Sequence, residues 1–333
     1  MIFVTGGTGF LGSHLLASLS KGNDEIVALK RKGSSAALTE KIFRLHGVEN
    51  KFSNIRWAEG DVCEYFSVED AMQSATQVYH CASVVSFLKK DKKRMMEINA
   101  GGTAHVVNAA LALNVQKFCH VSSIATLGRN AATGLFDEET LWEESSDNSN
   151  YSKSKWKGEL EVWRGIAEGL NAVIVNPAVI LGAGDWKNGS PALFNLVKNG
   201  LKYYTPGMNG YVCVDDVVRS MQELMNSEIS GERFIVSAED ISYEDLFSRM
   251  AAALTVKAPH VGISKSAASF AVRLEAIRSF FSSSSARISK ETVNTAFRTY
   301  KYNNEKIKKA VNFKFSPVND CINNTAELLL KGF

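Results

Sequence analysis

Thr5-Gly6-Gly7-Thr8-Gly9-Phe10-Leu11-Gly12 follows directly on the apolar run Ile2-Phe3-Val4 and opens a stretch, residues 11–20, with apolar side chains at three- and four-residue spacing. Each of the spaced glycines has a physical use. Gly6 permits a tight turn out of a strand, Gly9 lets phosphates approach the backbone, and Gly12 lets the following helix pack closely on the strand. Free backbone N–H groups and the positive helix end then hold the phosphates. Because the loop lies at the first strand-to-helix junction, it predicts a dinucleotide site containing Gly6, Gly9, Phe10, Leu11 and Gly12.

Outward from the loop, β-branched apolar runs at residues 2–4, 25–29, 54–57, 77–81, 117–121 and 171–175 alternate with helical patterns at 11–20, 94–114 and 151–169. This is the βαβα rhythm of a parallel sheet covered on both faces. The expected fold class is α/β, a Rossmann-type doubly wound parallel sheet with a smaller, mostly helical C-terminal lobe. Beyond Pro177 loops lengthen and helices dominate, while residues 211–214 and 233–237 still read as buried strands extending the first sheet. Residues 1–180 together with 211–237 are expected to form the nucleotide-binding domain, and 181–210 with 238–333 the second lobe. The serine run 282–285 reads as a turn between helices.

Composition narrows the partners. With 38 Lys+Arg against 35 Asp+Glu, the net charge of +3 over 333 residues gives no electrostatic case for nucleic acid or an anionic membrane surface. Five scattered cysteines without C-x-x-C spacing argue against a disulfide framework or a thiolate metal site, and the six histidines show no metal spacing. No run approaches eighteen apolar residues and none resembles a cleavable leader, so a soluble cytoplasmic protein, monomeric or homodimeric, is expected.

The second strand ends Leu29-Lys30-Arg31-Lys32, with no Asp or Glu to accept from a ribose 2′-hydroxyl. A guanidinium at Arg31 suits a 2′-phosphate, which points to NADP rather than NAD. Three further polar residues suggest chemistry: Ser123, after the fifth strand, and Tyr151 with Lys155, four residues apart and therefore on one helix face. An ammonium about 4 Å from a phenol contributes about 4 kcal/mol at an effective dielectric near 20, enough to bring a tyrosine toward neutrality for proton exchange with an alcohol or carbonyl.

The glycine loop, Asp61-Val62, His80-Cys81-Ala82-Ser83, Asn99-Ala100-Gly101-Gly102-Thr103, Ser122-Ser123 and Tyr151-x-x-x-Lys155 together resemble an extended short-chain dehydrogenase/reductase, one of the NAD(P)-dependent epimerase/dehydratase superfamily. The likeness covers roughly residues 1–240. Within it the chain is most similar to the dihydroflavonol reductase-like branch, with its cinnamoyl-CoA reductases and 3β-hydroxysteroid dehydrogenases. The resemblance implies Tyr151 as acid/base, Lys155 as the cation that lowers its pKa and holds the nicotinamide ribose, and Ser123 as hydrogen-bond donor to the reacting oxygen. It also implies Asp61 and Val62 at the adenine, Cys81, Ala82 and Ser83 along the ribose and phosphates, Asn99 and Val121 near the nicotinamide, and Pro177 beside the carboxamide.

Departures from the family bear on substrate. Residues 206–211, Pro-Gly-Met-Asn-Gly-Tyr, lack the arginine that sugar-nucleotide enzymes use for a diphosphate, and Gly128 stands where flavonoid reductases carry an amide. The expected activity is NADP-dependent reduction of a carbonyl, or oxidation of an alcohol, on a moderately apolar small molecule bound by the second lobe. The alternatives are a sugar-nucleotide epimerase and a non-catalytic NADP sensor. Aromatics Trp186, Phe194, Tyr203, Tyr204 and Tyr211 either line the pocket or fill the second core. The Lys89-Lys90-Asp91-Lys92-Lys93-Arg94 cluster reads as a solvated helix start, with attraction of an anionic substrate group as its functional alternative.

Overall fold

The computed structural model describes residues 1–128, 134–145, 148–267 and 296–333. The serine run 282–285 and Arg129 lie outside them. Seven parallel strands form the main sheet: β1 (Ile2–Thr5), β2 (Ile26–Lys30), β3 (Arg56–Glu59), β4 (Gln77–His80), β5 (Lys117–Val121), β6 (Ala172–Pro177) and, later in the chain, β9 (Glu232–Val236). Their order is β9-β6-β5-β4-β1-β2-β3, so the winding reverses between β1 and β4.

Alternation along these strands explains why both faces are covered. Ile2 and Val4 point to one side and Phe3 to the other; Cys119, Val173 and Val175 share the first side, Phe118, Ala172 and Ile174 the second. The first face packs on α1 (Phe10–Leu19), α2 (Ala37–Leu45) and α7 (Val214–Met225). The second packs on α3 (Tyr65–Met72), α4 (Thr103–Ala112) and α5 (Asn150–Ala167). Helix α4 continues from a π-helical stretch, Met96–Gly102, an irregularity that re-aims side chains and recurs at functional sites.

A second core lies beyond the sheet. Strands β7 (Val179–Leu181), β8 (Met208–Cys213) and β10 (Glu239–Ser242) form a three-stranded mixed sheet, with helices α6 (Pro191–Lys198), α8 (Tyr243–Ala253) and α9 (Val318–Leu330) around Leu181, Phe194, Tyr211, Met250 and Ile322. One expectation is thereby corrected: residues 233–236 do extend the first sheet, but 211–213 belong to β8, whose partners are β7 and β10. Burial alone makes a strand apolar and does not choose its sheet. Asp216, in the first turn of α7, supports backbone by accepting from the Ser316 N–H at 2.7 Å. Among the described residues no helix is long and apolar enough to cross a membrane.

Backbone packs closely at the glycine loop. A Cβ on Gly12 would sit 2.1 Å from the Gly6 carbonyl oxygen, with backbone that cannot swing away. Gly12→Ala should therefore lower unfolding free energy by about 3 kcal/mol, the upper range of overpacking. Denaturant unfolding measures it; a loss below about 0.5 kcal/mol, typical of a neutral surface change, would contradict this packing.

Candidate active site

Reversal of strand order between β1 and β4 opens a crevice at the carboxyl ends of the strands, where ligands of such sheets sit. The loop after β1 enters it at Gly6, with φ of +74°, and passes so close to the chain after β4 that a Cβ there would lie 2.6 Å from the Ala82 nitrogen. At Gly9 an added Cβ would meet only the Gly6 carbonyl oxygen, at 3.2 Å, so the backbone is approachable there. No side chain caps α1 and no acidic residue occupies its first turn. That N-terminus suits an anion, and the residues present fit a dinucleotide pyrophosphate.

A cleft of about 230 Å³ runs along this edge. Among its lining residues are Gly6, Gly9, Arg31, Asp61, Val62, Cys81, Ala82 and Ser83, all expected at the cofactor, together with Val84, expected at the substrate pocket, and Thr8, Leu29, Ser34, Gly60 and Ile98, which were not. The clue to Ser34 is Gly33: its φ of +74° turns the chain back, and the Ser34 N–H donates to the Arg31 carbonyl at 3.0 Å. Arg31 itself is exposed and forms no ion pair among the described residues.

The other expected residues lie around the cleft rather than on its walls. Leu11 is core, Pro177 is buried at the end of β6, and Phe10 packs where a Cβ on Gly184 would come within 2.8 Å of its ring. Buried Asn99 accepts from the Val84 N–H at 2.7 Å and the Ser83 hydroxyl at 3.1 Å, and donates to the Val84 carbonyl and the Ser154 hydroxyl, both at 2.9 Å. It thus ties the cleft wall to α5.

Behind it runs a chain of neutral groups. The Thr103 hydroxyl donates to the Asn99 carbonyl at 2.7 Å and so accepts from His80 Nε2 at 2.9 Å, leaving His80 Nδ1 to accept from Thr5 Oγ1 at 2.6 Å. Thr5 Oγ1 in turn accepts from the Ala82 N–H at 3.2 Å. Burial pushes His80 down to about 3, so its imidazole stays neutral and this relay holds one arrangement.

Helix α5 begins at Ser149, whose hydroxyl accepts from the Ser152 N–H at 3.0 Å, and this cap sets Tyr151 in the first turn. The Ser123 hydroxyl, which accepts from the Ala125 N–H at 3.1 Å, lies beside the Tyr151 phenol, and the Phe87 ring meets Tyr151 edge-on with centroids 5.9 Å apart. One turn on, Lys155 is 2% exposed and donates from Nζ to the Val121 carbonyl at 2.8 Å.

The electrostatics differ from expectation. Tyr151 is pushed up by burial, only partly offset by the neighbouring Ser123 hydroxyl, whereas the sequence predicted a phenol lowered by Lys155. The ammonium is engaged by Val121, and desolvation of the phenol dominates. Lys155 is itself lowered to about 8, first by burial, with Glu159 and Cys81 pulling the other way.

Sequence reasoning missed Glu159, one turn beyond Lys155 on the same face. Its buried carboxylate accepts from Ser122 at 2.5 Å, Thr126 at 2.7 Å, Asn176 at 2.9 Å, Arg233 at 3.1 Å and Trp163 at 3.3 Å. Ser122 therefore points away from Tyr151, leaving Ser123 as the hydroxyl beside it. Of the later aromatics, Phe194 and Tyr211 are fully buried in the second core, Trp186 packs on Phe194 and Phe333, and Tyr203 is exposed. The cations at Lys89, Lys90, Lys92, Lys93 and Arg94 are solvated, Lys93 reaching Glu97 at 3.6 Å.

Removing Glu159 would strand the Arg233 guanidinium in a largely buried position. Glu159→Ala should lower unfolding free energy by about 3 to 5 kcal/mol, with a smaller loss for Glu159→Gln, which keeps the shape. Chemical denaturation of the three proteins measures this; a loss under about 1 kcal/mol would show that the network is not a structural support.

The chain is 27% identical over 238 residues to sterol demethylase protein B of Methylococcus capsulatus, covering 71% of this chain and 69% of that one. It is 22% identical over 340 residues to cinnamoyl-CoA reductase 1 of Petunia hybrida, covering 99% and 92%. The crystal structure of gox2253 superposes with a TM-score of 0.82 at 25% identity, covering 100% of this chain and 98% of that one. The model of the NAD dependent epimerase/dehydratase family matches residues 2–236, and with the glycine loop, the reversed strand order and Ser123, Tyr151 and Lys155 in place, the chain belongs to that family as an NAD(P)-dependent extended short-chain dehydrogenase/reductase.

Proposed function

We propose that this enzyme is an NADP-dependent reductase acting on the carbonyl of a moderately apolar small molecule. The observation that carries the reading is the Ser123 hydroxyl set beside the buried Tyr151 phenol at the strand ends, joined through Asn99 and Phe87 to the cleft that Arg31 also lines. The nicotinamide cofactor, when bound, supplies the hydride. Ser123 donates a hydrogen bond to the substrate oxygen and Tyr151 gives it a proton. Burial keeps Tyr151 as the phenol, the form that donates, which supports reduction as the working direction. Gly6, Gly9, Phe10, Leu11 and Gly12 receive the phosphates, Asp61 and Val62 the adenine, and Cys81, Ala82, Ser83, Asn99, Val121 and Pro177 the ribose and nicotinamide side. Arg31 takes the 2′-phosphate.

An apolar substrate is supported by the exposed Phe87 beside Tyr151, with exposed Val85 two residues before it in the chain, and by the resemblance to a protein named for sterol demethylation. The pocket would be bounded by residues 84–87, 125–129, 182–190 and 203–211. A sugar-nucleotide substrate is the second reading, and one contact favours it: Arg298 runs beside the stretch that lacks a cation of its own, its carbonyl accepting from the Met208 N–H at 2.9 Å. UDP- and GDP-sugars should compete poorly with apolar ketones when NADPH is present. Tight binding of either sugar would promote the second reading.

Arg31→Ala should weaken NADPH binding roughly 10- to 150-fold, the worth of a charge-assisted bidentate contact, and leave NADH almost unchanged. Equal dissociation constants for NADPH and NADH in the parent would refute the cofactor choice. Tyr151→Phe should keep NADPH affinity while turnover falls by about two to four orders of magnitude; undiminished turnover would remove Tyr151 from the proton path.

Lys155 gives a pH test. It is cationic below about 8 and neutral above, so kcat/KM for NADPH, which reports ionisations of the free enzyme, should fall as pH rises through that value. Lys155→Arg should abolish that limb. A profile flat across it in the parent would mean that the cation has no part in binding or chemistry.

A further inference from the structure

We propose that His14, His46 and Asp215, none of which lines the cleft, form a Zn²⁺ site on the sheet face covered by α1, α2 and α7. His14 Nδ1 and His46 Nε2 are 3.0 Å apart, and Asp215 Oδ1 lies 4.0 Å from the first and 3.9 Å from the second. Two ligands at about 2.05 Å from a tetrahedral zinc are roughly 3.3 Å apart, so these separations bracket the required triangle. Asp215 is the ligand that must approach, and its side chain is 65% exposed and free to rotate inward.

The orientation of His14 is the second, independent observation. Its Nε2 lies 2.9 Å from the Ala183 carbonyl, which can only accept, so Nε2 carries the hydrogen and Nδ1 presents its lone pair to the other two groups. A ring nitrogen bound to a carbonyl while its partner faces the cluster is the arrangement that orients metal-ligating imidazoles. Without metal, the His46 Nε2 hydrogen fills that lone pair. On binding, this hydrogen moves to His46 Nδ1, both rings coordinate as neutral ligands, and water completes the tetrahedron. Two imidazoles and one carboxylate select a borderline ion such as zinc over magnesium or calcium, which prefer oxygen ligands throughout.

Sequence spacing conceals the site, since His14 and His46 are 32 residues apart and Asp215 is in another part of the chain. His14 is on α1, His46 caps α2 and Asp215 is in the first turn of α7. The ion would therefore cross-link the three helices on that face, and His14 extends the link to the loop after β7 through Ala183.

The test uses the full chain after chelator treatment, titrated with ZnCl₂ by calorimetry and followed by thermal unfolding. One zinc per chain should bind with a dissociation constant of about 10 μM or tighter and raise the melting temperature, while MgCl₂ does neither. His46→Ala and Asp215→Asn should each weaken binding at least about tenfold and leave zinc-free turnover unchanged. Cobalt in place of zinc should give a spectrum of nitrogen and oxygen ligation, without the thiolate charge-transfer band that binding at Cys213 would produce. Absence of binding at about 100 μM zinc, a thiolate band, or unchanged affinity in both variants would overturn the proposal and leave a hydrogen-bonded histidine pair.

Discussion

A single buried carboxylate fixes the geometry on which the rest of the site depends. Glu159 accepts hydrogen bonds from the end of β5, from the turn after it, from β6, from β9 and from its own helix, through Ser122, Thr126, Asn176, Arg233 and Trp163. An unpaired charge at that depth would be prohibitively costly, so the carboxylate tolerates few arrangements of its partners. Those partners sit on the strands beneath the reacting groups, and the carboxylate sits on the helix that carries Tyr151 and Lys155. Helix and sheet are thereby locked in the register that brings Tyr151 to Ser123. A close approach supports the same register: a Cβ on Gly158 would fall 2.1 Å from the Asn99 carbonyl oxygen, so only glycine lets α5 lie so near the π-helical stretch.

The parts of the fold legible in the sequence are those whose cause is local. Glycine spacing in residues 5–12 follows from the turn itself, and β1 and β6 stand out because burial on both faces gives them the apolar runs Ile2-Phe3-Val4 and Ala172-Val173-Ile174-Val175. Strand β3 is shifted to Arg56–Glu59 because residues 49–54 wind into a 3₁₀ helix and the strand, at the sheet edge, is half exposed and carries little pattern. Met208–Cys213 is apolar enough to be a strand, yet its neighbours, Val179–Leu181 and Glu239–Ser242, are chosen by tertiary packing.

The candidate site divides in the same way. Ser123, Tyr151 and Lys155 are visible as motifs, while Glu159 is visible only as the next residue on the same helix face, since its partners are brought to it from as far as 74 residues away. The state of the phenol was also beyond the sequence. A Tyr-x-x-x-Lys pattern says that an ammonium is near, but the sign of the shift depends on how deeply the ring is buried and what else the ammonium binds. Val121 engages Lys155, and burial leaves Tyr151 a stronger holder of its proton. A buried cation lowered to about 8 is costly to the fold.

The central claim is that hydride leaves the cofactor for a separate carbonyl compound and does not return. The direct measurement is the fate of NADPH labelled with deuterium at C4, incubated with the enzyme and a panel of ketones and aldehydes, including sterol-like ketones. The account predicts that cofactor oxidation and alcohol formation are stoichiometric, with one deuterium at the new carbinol carbon. Conversion of a sugar nucleotide with no net change in cofactor redox state, alongside no label in any alcohol of the panel, would contradict it.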